Sequence, residues 1–179
     1  MAAMTIAKLQ KKKQQGEKIA SLTAYDASFA KLMAEQGVDC ILVGDSLGNV
    51  VQGRSSTVPV TMTDMTYHTE CVRRGAPDAF IMSDLPFMSY GTLTDTLKNA
   101  AQLMQAGANM VKLEGGDWLV DSVKALTQRG IPVCAHLGLL PQSVNVLGGY
   151  RVQGKQEAQA VQLIEQAKQL EAAGAQLLV

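Results

Sequence analysis

The sequence has no surplus of charge. Lysine plus arginine and aspartate plus glutamate number 16 each, so no overall field draws the chain to nucleic acid, a membrane surface or an acidic substrate. It has no apolar stretch approaching the ~18 residues of a membrane-spanning helix, and no leader-like apolar region follows its first residues. Cysteines are few: Cys40, Cys71 and Cys134. They are odd in number and too widely spaced for a disulfide framework or a zinc cluster, and a reducing cytoplasmic setting is the expectation. No GxGxxG follows the first predicted strand, which argues against a dinucleotide fold.

What is present is ordinary globular composition, 47% hydrophobic and 18% charged over 179 residues, enough for one domain with a sizeable core. The one basic run, Lys11-Lys12-Lys13, reads as the solvated face of a short leader helix around Thr5–Gln15. From there strands and helices alternate. Strands are predicted over 18–24, 40–43, 79–83, 109–114 and 131–136, with a sixth beginning at Ala175. Helices follow Asp26, Thr61-x-x-Asp64 and Thr92-x-x-Asp95, whose side chains suit N-caps; the first carries Phe29, Leu32 and Met33 on its apolar stripe, and a long loop is predicted from strand two to Pro59. Three segments, starting at Gly37, Gly107 and Gly174, repeat a helix stop followed by an apolar strand.

Such alternation means a parallel sheet with helical crossovers. Polar residues recur at the ends of strands two, three, four and five. A doubly wound sheet would gather them at one switch point, so the spread favours a (β/α)₈ TIM barrel. Eight units need about 250 residues. The expectation is therefore a single barrel domain over 1–179, C-terminally incomplete and covering about the first six strands.

Period-two alternation puts Lys112 and Glu114 on one strand face with Met110, and Val111 and Leu113 on the other. The face toward the helices must be apolar, so Lys112 and Glu114 point inward. The same counting groups Val43 with Asp45, Met82 with Asp84, and Cys134 with His136. Burying charge costs several kcal/mol unless it is paired. Three carboxylates on one rim need a cation, and oxygen donors suit Mg²⁺ before Ca²⁺ or Zn²⁺. Such an ion suits a 2-oxo acid whose enolate must be stabilised, with Lys112 facing the substrate carboxylate or the enolate oxygen. His136 is open between substrate contact and a structural role; His68, Trp118 and Tyr150 are expected to be structural.

The segments Thr23-Ala-Tyr-Asp26, Leu42-Val-Gly-Asp-Ser-Leu-Gly48, Asp84-Leu-Pro-Phe87, Ala106-Gly-Ala-Asn-Met-Val-Lys112, Glu114-Gly-Gly116, His136-Leu-Gly-Leu139 and Pro141-Gln-Ser-Val-Asn145 resemble the ketopantoate hydroxymethyltransferase family. The resemblance covers essentially the whole chain. It implies an Mg²⁺-dependent (β/α)₈ barrel in pantothenate synthesis. The implied reaction transfers a hydroxymethyl group from 5,10-methylenetetrahydrofolate to 3-methyl-2-oxobutanoate, giving 2-dehydropantoate. By resemblance, Asp45 and Asp84 are metal ligands, with Glu114 the third carboxylate, direct or through water. Asp45, Ser46, Asp84 and Lys112 are then the 2-oxo acid contacts. The family's glutamate base falls at the end of strand six, just beyond Val179, so residues 1–179 alone are expected to be inactive. A homodecamer is also implied. The alternatives are a related enolate-forming barrel of the phosphoenolpyruvate mutase and isocitrate lyase type, whose nucleophilic-cysteine loop has no counterpart here, and an inactive fragment needing a complementary part.

Overall fold

The computed structural model describes residues 3–179. Six strands, β1 (Ser21–Thr23), β2 (Cys40–Val43), β3 (Phe80–Asp84), β4 (Met110–Glu114), β5 (Val133–His136) and β6 (Leu177–Leu178), form one sheet. Its spatial order is the chain order and every pairing is parallel. An order that never reverses is the winding of a barrel rather than of a doubly wound sheet, so the chain is a partial (β/α)₈ barrel. Among the described residues β1 and β6 have a neighbour on one side only.

The helices are α1 (Ile6–Gln14), α2 (Ala27–Glu35), the single turn α3 (Leu47–Val50), α4 (Met62–Gly75), α5 (Leu93–Gln105), α6 (Val120–Thr127), the single turn α7 (Val144–Leu147) and α8 (Glu157–Ala172). Helices α2, α4 and α5 start where the capping residues predict. Asp26 accepts from Ser28 and Phe29 N–H, Thr61 and Asp64 complete a reciprocal capping box, and Thr92 accepts from Asp95 N–H. None of them is long and apolar enough to cross a membrane.

Alternation divides the sheet into two apolar surfaces. On one, Ile41, Val43, Ile81, Val111, Leu113, Val133 and Ala135 join Met65 and Val72 of α4, Leu103 of α5, Leu126 of α6 and Leu170 of α8 in a single core. Each such buried aliphatic side chain contributes roughly 1.5–3 kcal/mol. On the other, Cys40, Phe80, Met82, Met110 and Cys134 meet Leu9 of α1, with Ile6 and Leu177 alongside. The leader helix therefore closes the amino end of the inner surface, and the carboxyl end is left for polar groups. Helices α2 and α4 come close together at Gly75, where a Cβ would collide with the carbonyl of Ala27.

Several expectations need correction. The loop from strand two to Pro59 contains α3, and β1 has three residues rather than seven. Phe29 and Leu32, expected on the apolar stripe of α2, are about half exposed. Tyr150 is exposed rather than packed, and only Leu170 is fully buried on α8. Val43 belongs to the helix-facing core, so the counting that paired it with Asp45 does not hold across the bend at Gly44.

Candidate active site

Lys112 and Glu114 do point inward. The register places Asp84 beside Lys112 and Glu114 beside His136 across neighbouring strands. All three carboxylates, Asp45, Asp84 and Glu114, are buried together with Lys112, and His136 is partly buried. Lys112 Nζ lies 2.9 Å from Asp84 Oδ1, 3.7 Å from Glu114 Oε1 and 3.4 Å from His136 Nδ1. His136 Nδ1 is 3.1 Å from Glu114 Oε1.

Asp45 reaches this group by leaving the strand. Continued alternation would aim it at the helices with Val43, but the turn after Gly44 brings it round, and its own N–H donates to Asp84 Oδ2 at 3.2 Å. A Cβ at Gly44 would sit 2.9 Å from Ser46 Oγ and 3.4 Å from Asp84 Oδ2, so a side chain there would displace the serine hydroxyl. Ser46 Oγ hydrogen-bonds the Tyr25 hydroxyl at 2.8 Å, and the Tyr25 carbonyl pairs with His68 Nδ1 at 2.7 Å. His68 is thus structural, as expected, holding the end of β1 against α4.

Three carboxylates face one ammonium, so the fully ionised set is two positive charges short of neutrality. Burial, then the charges of Asp84 and Glu114, push the Asp45 carboxyl up to about 7, against the opposing pull of Lys112 and Gln142. Burial likewise raises Asp84 despite Lys112 beside it. Burial alone would lower Lys112, but Asp84 and Glu114 outweigh it and keep the ammonium charged. Glu114 ends below its ordinary value because His136 and Lys112 together overcome its burial.

Sequence reasoning missed the residue that ties the rim together. Gln142, on the loop after β5, donates its backbone N–H to Glu114 Oε2 at 3.2 Å and its Nε2 to Asp45 Oδ2 at 2.8 Å. The same Nε2 reaches the Leu85 carbonyl at 3.0 Å. Tyr90 donates its hydroxyl to Gln142 Oε1 and lies 3.1 Å from the Glu114 carbonyl. Trp118 stacks on Tyr90 with ring centroids 5.8 Å apart and planes 8° from parallel.

The donor chemistry fits a hard divalent cation. All three carboxylates are oxygen donors, and buried Asp84 Oδ1 accepts no well-directed hydrogen bond although Lys112 Nζ is close. As they stand, no three acidic, histidine or cysteine side chains among the described residues converge tightly enough to enclose an ion. Lys112, His136 and Gln142 hold them instead.

Residues 3–179 match the family described as ketopantoate hydroxymethyltransferase. A 3-methyl-2-oxobutanoate hydroxymethyltransferase of Idiomarina loihiensis is 71% identical over 175 residues, covering 98% of this chain and 66% of the relative. That of Erwinia tasmaniensis is 62% identical, covering the whole chain and 68% of the relative. The chain thus spans about two thirds of the length of these relatives. Among solved structures, a phosphonopyruvate hydrolase complexed with oxalate and Mg²⁺ superposes with a TM-score of 0.71 at 16% identity, over 98% of this chain and 62% of that one. A phosphoenolpyruvate phosphomutase from Streptomyces platensis gives 0.72 at 14%, over 97% and 62%. At such identities the likeness is one of fold.

Proposed function

The chain belongs to the ketopantoate hydroxymethyltransferase family, and from that premise we propose that it carries the metal- and substrate-binding rim of an enzyme transferring a hydroxymethyl group from 5,10-methylenetetrahydrofolate to 3-methyl-2-oxobutanoate, in pantothenate synthesis. The observation that carries this reading is the buried rim of Asp45, Asp84, Glu114 and Lys112, which when fully ionised is two positive charges short of neutrality. A divalent cation makes up that deficit. Asp45 and Asp84 would hold Mg²⁺, with Glu114 bound directly or through water. When bound, the ion supplies Lewis-acid polarisation of the 2-oxo group.

Each side chain then has a task. Lys112 keeps its ammonium and pairs with the substrate carboxylate or the developing enolate oxygen, in a site where low dielectric strengthens that contact. Ser46, held by the Tyr25 hydroxyl, offers its Oγ to the 2-oxo acid. His136 lies beside both Lys112 and Glu114 and orients them, with a substrate contact within its reach. Deprotonation at C3 needs a base, and the visible carboxylates are engaged: Asp84 by Lys112, Glu114 by His136 and Gln142 N–H, Asp45 by Gln142 Nε2. By the family resemblance we assign the base to a glutamate at the end of strand six, beyond Val179; the repeat that puts Glu114 seven residues after Gly107 points to the position seven after Gly174. Leu177 pairs with Cys134 and packs on the inner surface, so alternate positions along β6 face the same rim. Residues 1–179 alone would then bind without transferring. With the C3 proton on the base, the two C–N bonds of the folate methylene carbon are replaced by one C–C bond to C3 and one C–O bond to the oxygen of water. The two folate nitrogens leave as N–H, one proton coming from the base and one from that water, giving tetrahydrofolate.

A mutase- or lyase-like reading rests on fold alone. Burial pushes the Cys134 thiol up to about 12 and Cys40 to about 11, values unsuited to a nucleophile at neutral pH. A homodecamer and a cytoplasmic setting belong to the same proposal through the resemblance. The test is formation of 2-dehydropantoate by the full-length protein from both substrates. Turnover should require Mg²⁺ and be abolished by Asp84→Asn. A full-length enzyme indifferent to both would overturn the proposal.

A further inference from the structure

Gln142 is buried, comes from a glycine-rich loop, and bonds two carboxylates that lie 97 and 28 residues away in sequence. Its amide has only one possible orientation. The nitrogen faces two acceptors, Asp45 Oδ2 and the Leu85 carbonyl, and the oxygen faces the Tyr90 hydroxyl. The Tyr90 hydroxyl faces two oxygens, Gln142 Oε1 and the Glu114 carbonyl, and acts there as the donor. Trp118 in turn backs the Tyr90 ring, its indole lying against Gly115, where any Cβ would clash with it.

We propose that Gln142 is a positioning residue for the divalent cation: it ties up one oxygen each of Asp45 and Glu114, sets which of their oxygens remain for the ion, and couples the rim to Trp118 through Tyr90. This rests on the functional reading above. A carboxylate in a crowded, repelling group rotates away from its neighbours unless a donor holds it, and Gln142 supplies a donor to each of two. Partners of this kind typically account for 10–100-fold in metal affinity. Gln142 also connects the loop after β5 to the ends of β2 and β4, so occupancy of the rim is felt at a partly exposed indole.

The test is Mg²⁺ titration of the full-length protein by calorimetry, with tryptophan fluorescence in parallel and a Trp118→Phe control. Gln142→Met keeps the volume and removes the donors of the side chain. It should weaken Mg²⁺ binding at least 10-fold and remove the Trp118-dependent fluorescence response, while far-UV dichroism is unchanged. Tyr90→Phe, which frees the amide to turn, should shift affinity the same way by less. In the Gln142→Met background it should add little, because Tyr90 acts through the amide. A Gln142 that merely closes the loop would lower the melting temperature and leave Mg²⁺ affinity at the wild-type value, which would overturn the inference while leaving the functional reading intact. Equal effects of Tyr90→Phe in both backgrounds would overturn the coupling. A wild-type protein that binds no Mg²⁺ would overturn both the inference and the reading beneath it.

Discussion

Replacing Lys112 by Met keeps much of the side-chain bulk and removes the ammonium that faces Asp84 at 2.9 Å and Glu114 at 3.7 Å. Removing one partner of a buried pair costs about 3–5 kcal/mol, because the remaining charge is stranded. Here the cost must depend on pH. Asp45 already has its pKa raised from 3.8 to about 7 in the folded protein. A raised carboxyl contributes stability that is fully present below its ordinary value and is lost as pH rises through 7, about 4 kcal/mol for a shift of this size. Without Lys112, Asp45 and Asp84 rise further. The metal-free Lys112→Met protein should therefore fall about 3–5 kcal/mol below wild type at pH 8 and by clearly less near pH 5, where Asp45 is protonated and the ionised Glu114 still loses its ammonium partner. Urea unfolding of both full-length proteins at several pH values measures the difference directly, and groups far from the rim cancel. A deficit that does not change with pH, or no deficit at pH 8, would refute the charge account of the site. Saturating Mg²⁺, at about 100 times its Kd, should return roughly 2.7 kcal/mol to the wild type.

Asp45→Ala and Asp84→Ala should each abolish turnover and Mg²⁺ dependence in the full-length enzyme with little loss of fold, read by Mg²⁺ titration and circular dichroism. Glu114→Gln should do less damage if that residue acts through water, and equal loss of Mg²⁺ affinity would make it a direct ligand. Apparent Mg²⁺ affinity of the wild type should rise with pH through about 7 as Asp45 gives up its proton; a flat profile between pH 6 and 8 would contradict the assignment. Gly75→Ala, which drives a methyl into Ala27 at the α2–α4 contact, should destabilise by about 1–3 kcal/mol or more with metal affinity unchanged.

The alternating pattern made the barrel legible, since period-two strands and capped helices are local properties. Lys112 and Glu114 were readable because no apolar helix-facing surface accepts a charge. Asp45 was readable as a carboxylate at the carboxyl end of a buried strand, but the counting that grouped it with Val43 was faulty: alternation ends where the strand ends, and Gly44 turns the chain before Asp45. Its burial beside Asp84 comes from that turn. Gln142 gave no signal of its own, being an uncharged residue in a loop without periodicity, and its partners lie on strands far away in sequence. Phe29 and Leu32 followed the helical period of α2 yet stand half exposed, since period alone does not say what packs on a face. Strand ends were drawn too long at β1 and β5 because flanking residues such as Lys18 and Ile131 continue the composition without pairing.

The central claim is that this rim binds a 2-oxo acid and stabilises its enolate. Exchange of the C3 proton of 3-methyl-2-oxobutanoate in deuterated water, followed by NMR without folate, isolates that step. The full-length wild type with Mg²⁺ should exchange, Asp84→Asn and Lys112→Met should lose exchange with the metal present, and replacing with glutamine the strand-six glutamate base that the family resemblance implies should slow it about 10²–10⁴-fold while 2-oxo acid binding persists. Undiminished exchange in Asp84→Asn and Lys112→Met would contradict the account.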